Sequence, residues 1–121
     1  MRDYKKYDVW QKAHEFTLYI YKEIIPHFPK SEQYELASQL KHSTYSIPLN
    51  IAEGCGRNSD KDFAHFLDIA LGSTHEAEYC SLLSSELGCI VKDKYEGLVL
   101  KINELKAKLI NLIKSIRKPG V

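Results

Sequence analysis

The chain has 121 residues, with 17 Lys and Arg against 16 Asp and Glu, a formal charge of +1, and 44% apolar side chains. That length suits one domain with one core, spanning 1–121, and no 18-residue apolar run is present to span a bilayer. Charged residues at 27% alongside many Ile, Leu and Tyr exclude a disordered chain. The first residues, Met1 to Lys6, lack the apolar run of a secretory signal, so a cytoplasmic location with no membrane contact is expected. The near-neutral total hides a segregation: residues 1–30 carry +2, residues 31–90 carry −6 and residues 91–118 carry +5.

Four segments read as helices and none as a strand, because no stretch alternates apolar and polar side chains for long enough. The first is expected over 8–25. Asp8 is placed to cap it with Gln11 as the reciprocal partner, and Val9, Ala13, Phe16, Ile20 and Ile24 step by four and three. Pro26 ends it. The second is expected over 31–54, with Leu36, Leu40, Ser43, Ile47 and Ile51 turned inward. Pro48 sits inside that stripe, which predicts a kink near 44–47, where a Ser or Thr hydroxyl could bond the freed carbonyl. Gly54 and Gly56 are expected to end the helix through positive φ.

Ser59 is the expected cap of the third helix, over 59–87, with Gly88 as its stop. Phe63, Phe66, Leu67, Ala70, Ser73, Thr74, Ala77, Ser81, Ser84 and Leu87 share a face, and Gly72-Ser73 suggests a close approach by a neighbouring backbone. The fourth helix is expected over 92–117, capped by Asp93 with Glu96 and closed by Pro119-Gly120. Leu98, Ile102, Leu105, Leu109, Leu112 and Ile116 make its heptad seam. Four amphipathic helices with short connections predict an all-α, antiparallel up-down-up-down four-helix bundle.

The first helix carries more apolar surface than one protomer needs. Trp10, Leu18, Tyr21 and Ile25 widen its stripe and mark a subunit interface, set against the plainer reading that the aromatics cover the bundle end. A second candidate surface is basic. Lys94, Lys101 and Lys108 recur every seven residues, and Lys114, Arg117 and Lys118 extend them, a stripe suited to phosphates. The same cations are equally suited to facing the acidic second and third helices. Arg57, in the loop after Gly54, is a further anion candidate, or pairs with Glu53 or Asp60.

Catalytic and metal chemistry find little. Cys55 beside Arg57 is the one nucleophile candidate, with no histidine obviously placed as its base. Cys80 and Cys89 read as packing residues, and the three cysteines form no CxxC pair. Asp62-x-x-His65 and His75-Glu76-x-Glu78 each lack the second half of a helical metal motif. No catalytic residue, no metal and no cofactor are expected.

The run Ile47-Pro48-Leu49-Asn50-Ile51-Ala52-Glu53-Gly54-Cys55-Gly56-Arg57-Asn58-Ser59 resembles the core signature of the 23S rRNA intervening-sequence protein family. Val9-Trp10-Gln11-Lys12-Ala13, Phe28-Pro29, Phe66-Leu67, Gly72-Ser73 and Leu87-Gly88 extend the likeness along the chain. The resemblance implies a four-helix bundle that assembles as a ring-shaped homopentamer, without catalytic activity. It assigns Pro48, Asn50, Glu53, Gly54, Gly56, Arg57 and Ser59 first to helix-turn architecture or subunit packing. A more distant similarity is to the accessory variability determinant proteins of diversity-generating retroelements, which are basic barrels that bind nucleic acid. This chain differs in its acidic centre. The function expected is a non-enzymatic oligomeric module that binds RNA or an RNA-handling protein. The alternative is a purely structural, protein-interaction oligomer.

Overall fold

The computed structural model describes residues 2–118. Among them the fold is all-α, with four helices and no strand: α1 (Asp8–Tyr19), α2 (Leu36–Cys55), α3 (Asp60–Glu86) and α4 (Lys92–Arg117). α2 packs most extensively on α3, α3 packs on α4, and α1 touches both α2 and α4. Their buried apolar side chains form one continuous cluster, an arrangement that fits a bundle.

The inward stripes of α1 and α2 are buried as the spacing predicts, from Val9 to Ile24 and from Leu36 to Ile51. The ends differ. Asp8 does not cap α1; Tyr7 stands at that position without a side-chain bond. The reason lies upstream, where Asp3 caps a 3-10 turn (Tyr4–Lys6) that feeds into the helix, and Gln11 Nε2 reaches back to the Lys5 carbonyl at 2.8 Å. At its other end α1 widens into a π turn, Ile20–Ile24, then tightens into a 3-10 turn at Ile25–His27. Pro26 disfavours a regular turn, so the helical path changes pitch beside it instead of stopping at residue 25.

α2 starts at Leu36, five residues later than expected. Lys30–Glu32 forms a separate 3-10 turn, and the Gln33 side chain donates to the Phe28 carbonyl at 3.0 Å. α2 then runs unbroken through the buried Pro48. Pro48 has no N–H for the carbonyl four residues earlier, that of Thr44. No hydroxyl compensates there: Ser43 Oγ donates to the Leu40 carbonyl at 3.1 Å, and Thr44 Oγ1 is buried without a partner.

The α2–α3 turn also departs from expectation. Gly56 has φ −82°, and among the described residues the only positive φ is that of Gly88, at 81°. Gly54 matters for space. A Cβ there would lie 2.8 Å from Phe66 Cβ and 3.3 Å from the Phe63 carbonyl oxygen. Gly72, expected at such a close approach, faces open space.

α3 is capped by Ser59, whose Oγ accepts the Asp62 N–H at 3.1 Å. It ends in a Schellman motif: the Cys89 N–H bonds the Ser84 carbonyl at 2.8 Å and the Gly88 N–H bonds that of Ser85 at 3.0 Å. Its predicted face is buried apart from Phe66, half-buried, and Leu87, which is 60% exposed at the cap. α4 has Val91 as N-cap, so the Asp93–Glu96 cap is not formed. Its seam holds from Leu98 to Leu109 and then continues at Ile113, leaving Leu112 and Ile116 half-buried. A straight helix of 3.6 residues per turn drifts about 20° per heptad off a strict repeat, so by Leu112, two heptads on from Leu98, the side chain has turned about 40° toward the edge of the seam. The expected stop at Pro119-Gly120 lies outside the described residues.

Candidate functional site

The cations of α4 are mostly engaged within the chain. Lys94 Nζ donates to the Glu23 carbonyl at 3.1 Å and lies 3.5 Å from its carboxylate. Lys108 pairs with Asp8. Arg117 grips Asp68 with two bonds of 3.1 and 2.6 Å, and Lys106 bonds Glu78 at 2.7 Å. Lys101 lies 5.0 Å above the Tyr19 ring. Lys114 and Lys118 are exposed at the helix end. Hydrogen bonding by Lys108 lowers the Asp8 pKa, and hydrogen bonding to Asp8 raises that of Lys108. The seven-residue stripe of Lys94, Lys101 and Lys108 therefore faces α1 and the π turn after it, rather than the acidic second and third helices, and only Lys106 and Arg117 reach carboxylates on α3.

The run from Pro48 to Ser59 builds the α2–α3 junction. Asn50 Nδ2 donates to the Ser46 carbonyl at 2.8 Å and to its hydroxyl at 2.9 Å, and Ser46 Oγ meets Ser73 Oγ at 2.9 Å across the interface. Gly54 lets Phe63 and Phe66 close on α2. Arg57 lies 3.8 Å from Glu53 and 4.5 Å above the Phe66 ring, while Asp60 is taken by Arg2. Gly56 lines an open groove with Arg2, Arg57 and Asn58. Arg2 is the residue the sequence reading missed, because nothing in periodicity or spacing marks a single arginine ahead of the first helix.

On the other side an apolar flank is left uncovered. Leu18 and Tyr21 are 40% and 42% exposed, and beside them on α2 stand Tyr45 and Leu49, at 40% and 55%. Burial, with a smaller contribution from Tyr45, pushes the Tyr21 hydroxyl pKa up, and Lys41 Nζ lies 6.0 Å from the Tyr21 ring centre. Two expected interface residues are used differently. Ile25 is buried in the chain's own core, because the pitch change after Tyr19 rotates it inward. Trp10 is half-buried, stacked on His14 at 4.9 Å and edge-on to Tyr4 at 4.9 Å. Tyr45 and Leu49 were legible as an i, i+4 pair outside the inward stripe of α2.

Catalytic chemistry has little to work with. Cys55 and Cys89 are buried, Cys80 is half-buried, and burial pushes all three thiol pKa values up, opposite to what a nucleophile needs. Among the described residues, no three His, Cys, Asp or Glu side chains group so as to hold a metal ion. Nor is any described helix long and apolar enough to cross a membrane.

A family model described as "23S rRNA-intervening sequence protein" matches residues 5–111. The chain is also similar to a crystal structure, at 1.70 Å, of a protein of unknown function from the S23 ribosomal protein family of Bacteroides thetaiotaomicron VPI-5482. The two are 29% identical with a TM-score of 0.81, over 88% of this chain and 95% of the other. No curated protein matches it.

Proposed function

The chain belongs to the 23S rRNA-intervening sequence protein family, and from that premise we propose that it is a non-enzymatic scaffold that associates with copies of itself. The helices run up-down-up-down in this reading. Gly54 late in α2 meets Phe63 early in α3, while Arg117 and Lys106 of α4 meet Asp68 and Glu78 of α3 in reverse order. Lys94 and Lys108 meet Glu23 and Asp8 in the same reversed sense.

The observation that carries self-association is the flank of Leu18, Tyr21, Tyr45 and Leu49, four large side chains each at least 40% exposed on two adjoining helices. Flanks of that kind are covered in subunit interfaces. A pentamer is the stoichiometry the family resemblance suggests, in a cytoplasmic protein. Between the two expected roles, the protein-interaction oligomer is favoured over RNA contact through α4. Lys94, Lys106, Lys108 and Arg117, half of the eight cations over residues 91–118, already have carboxylate partners, which leaves fewer of them for a basic surface of the kind that the distant resemblance to the accessory variability determinant proteins implies.

Light scattering of the purified chain tests this. The expected mass is a multiple of 13.9 kDa, fivefold for a pentamer, and Tyr21→Glu with Leu49→Glu reduces it to 13.9 kDa with the helical spectrum intact. A wild-type mass of 13.9 kDa sinks the reading. RNA that binds at low salt and is lost on Lys101→Glu with Lys108→Glu would restore the RNA role instead.

A further inference from the structure

Where the turns after α1 meet the α3–α4 connection, the surface opens into a cavity of about 320 Å³. It takes no residue from the flank proposed above for self-association. Two local features shape it. The π turn Ile20–Ile24 and the 3-10 turn that follows bring Glu23, Ile24 and His27 to one side. On the other, Gly88 turns the chain out of α3 at φ 81° and adds no side chain; a Cβ there would meet nothing within 4 Å. The chain beyond it supplies Cys89, Ile90 and Val91, of which Val91 is 65% exposed.

We propose that this cavity binds a small carboxylic acid with an apolar alkyl or aryl body, its carboxylate on Lys94. The volume lies at the small end of the range for ligand cavities, and an apolar lining with a few convergent polar groups is the usual makeup of such sites. Lys94 sets the charge of the head group. Its Nζ donates to the Glu23 main-chain carbonyl at 3.1 Å, so the ammonium is anchored by the backbone at the cavity edge. The Glu23 carboxylate stands off at 3.5 Å and is 54% exposed, and among the described residues it pairs only with that ammonium. It can swing into water and yield its place to a ligand's carboxylate. An ammonium has N–H donors to spare after one bond to a carbonyl. The apolar body would lie against Ile90 and Val91, where removing surface from water adds to the affinity. The π turn fits this reading, since such turns recur at functional sites.

Isothermal titration of the full chain with sodium octanoate, paired with amide NMR to locate the ligand, tests the site. The expected result is saturable binding of about one octanoate per chain. It shifts the amides from Gly88 to Lys94 and leaves those of Leu18, Tyr21, Tyr45 and Leu49 in place. Lys94→Gln weakens binding about fivefold, and 1-octanol binds the wild-type chain more weakly than octanoate by a similar factor. Glu23→Gln keeps the anchoring carbonyl and removes the competing carboxylate, so it tightens binding about twofold. Both substitutions fall on partly exposed side chains, and an unchanged helical spectrum reports that the fold is kept. Absence of saturable binding, shifts centred on the α1–α2 flank, 1-octanol binding as tightly as octanoate, or weaker binding by Glu23→Gln would each overturn the proposal.

Discussion

Gly54 and Gly72 are similar in the sequence, each a small residue inside a helical segment, and packing gives them opposite meanings. A methyl group at Gly54 strikes Phe66 Cβ and the Phe63 carbonyl, the second of which is backbone and cannot step aside. Gly54→Ala is therefore expected to cost about 1–3 kcal/mol despite alanine's better helix propensity. At Gly72 the methyl group meets nothing within 4 Å, so Gly72→Ala should stabilise by about 0.5–1 kcal/mol. Thermal denaturation of the two variants decides; shifts of the same sign would contradict the packing argument. Thr44 is a third case. Its hydroxyl is buried and unpartnered, so Thr44→Val removes an unsatisfied group, and urea titration should show a stability equal to or above wild type.

The helix ends carry the element-scale predictions. Ser59 alone satisfies an N–H at the start of the 27-residue α3, and Ser59→Ala is expected to cost about 0.5–2 kcal/mol by chemical denaturation. The α1 and α4 helices are joined at Asp8 and Lys108. The Asp8 pKa is depressed in the folded chain, so its contribution is present above the ordinary carboxylate range and is lost as pH falls through the folded value. The Lys108 pKa is raised, so its contribution is present below the ordinary lysine range and is lost as pH climbs through the folded value. Asp8→Asn should flatten the acid limb of the stability–pH curve relative to wild type. An unchanged acid limb would mean the pair contributes nothing in solution.

At the scale of the molecule, the charge segregation along the chain is resolved by folding. The basic fourth segment is laid against carboxylates of α3 and α1, through Arg117 and Asp68, Lys106 and Glu78, Lys94 and Glu23, and Lys108 and Asp8. Left exposed on the α1–α2 side are the large side chains of Leu18, Tyr21, Tyr45 and Leu49. Self-association through Leu18, Tyr21, Tyr45 and Leu49 should thus survive about 1 M salt, which screens ion pairs and leaves apolar burial intact. Light scattering across a salt series checks this, and dissociation on adding salt would assign the contact to charge instead.

Apolar periodicity by itself determined the four helices, the inward stripes from Val9 to Ile24 and from Leu36 to Ile51, and the ends of α3 at Ser59 and Gly88. These rest on local geometry: burial repeats with the helical turn, and caps lie within a few residues of what they satisfy. The family likeness was also legible, since it is carried by residue order. Only the tertiary structure decided which glycine is crowded, that Ile25 turns inward after the π turn, that Ile113 replaces Leu112 on the seam, and that Arg2 pairs with Asp60 at the α2–α3 turn. It also decided which lysines are spent. Each of these depends on what a distant segment brings within a few ångströms, and spacing along one helix holds no record of its neighbours.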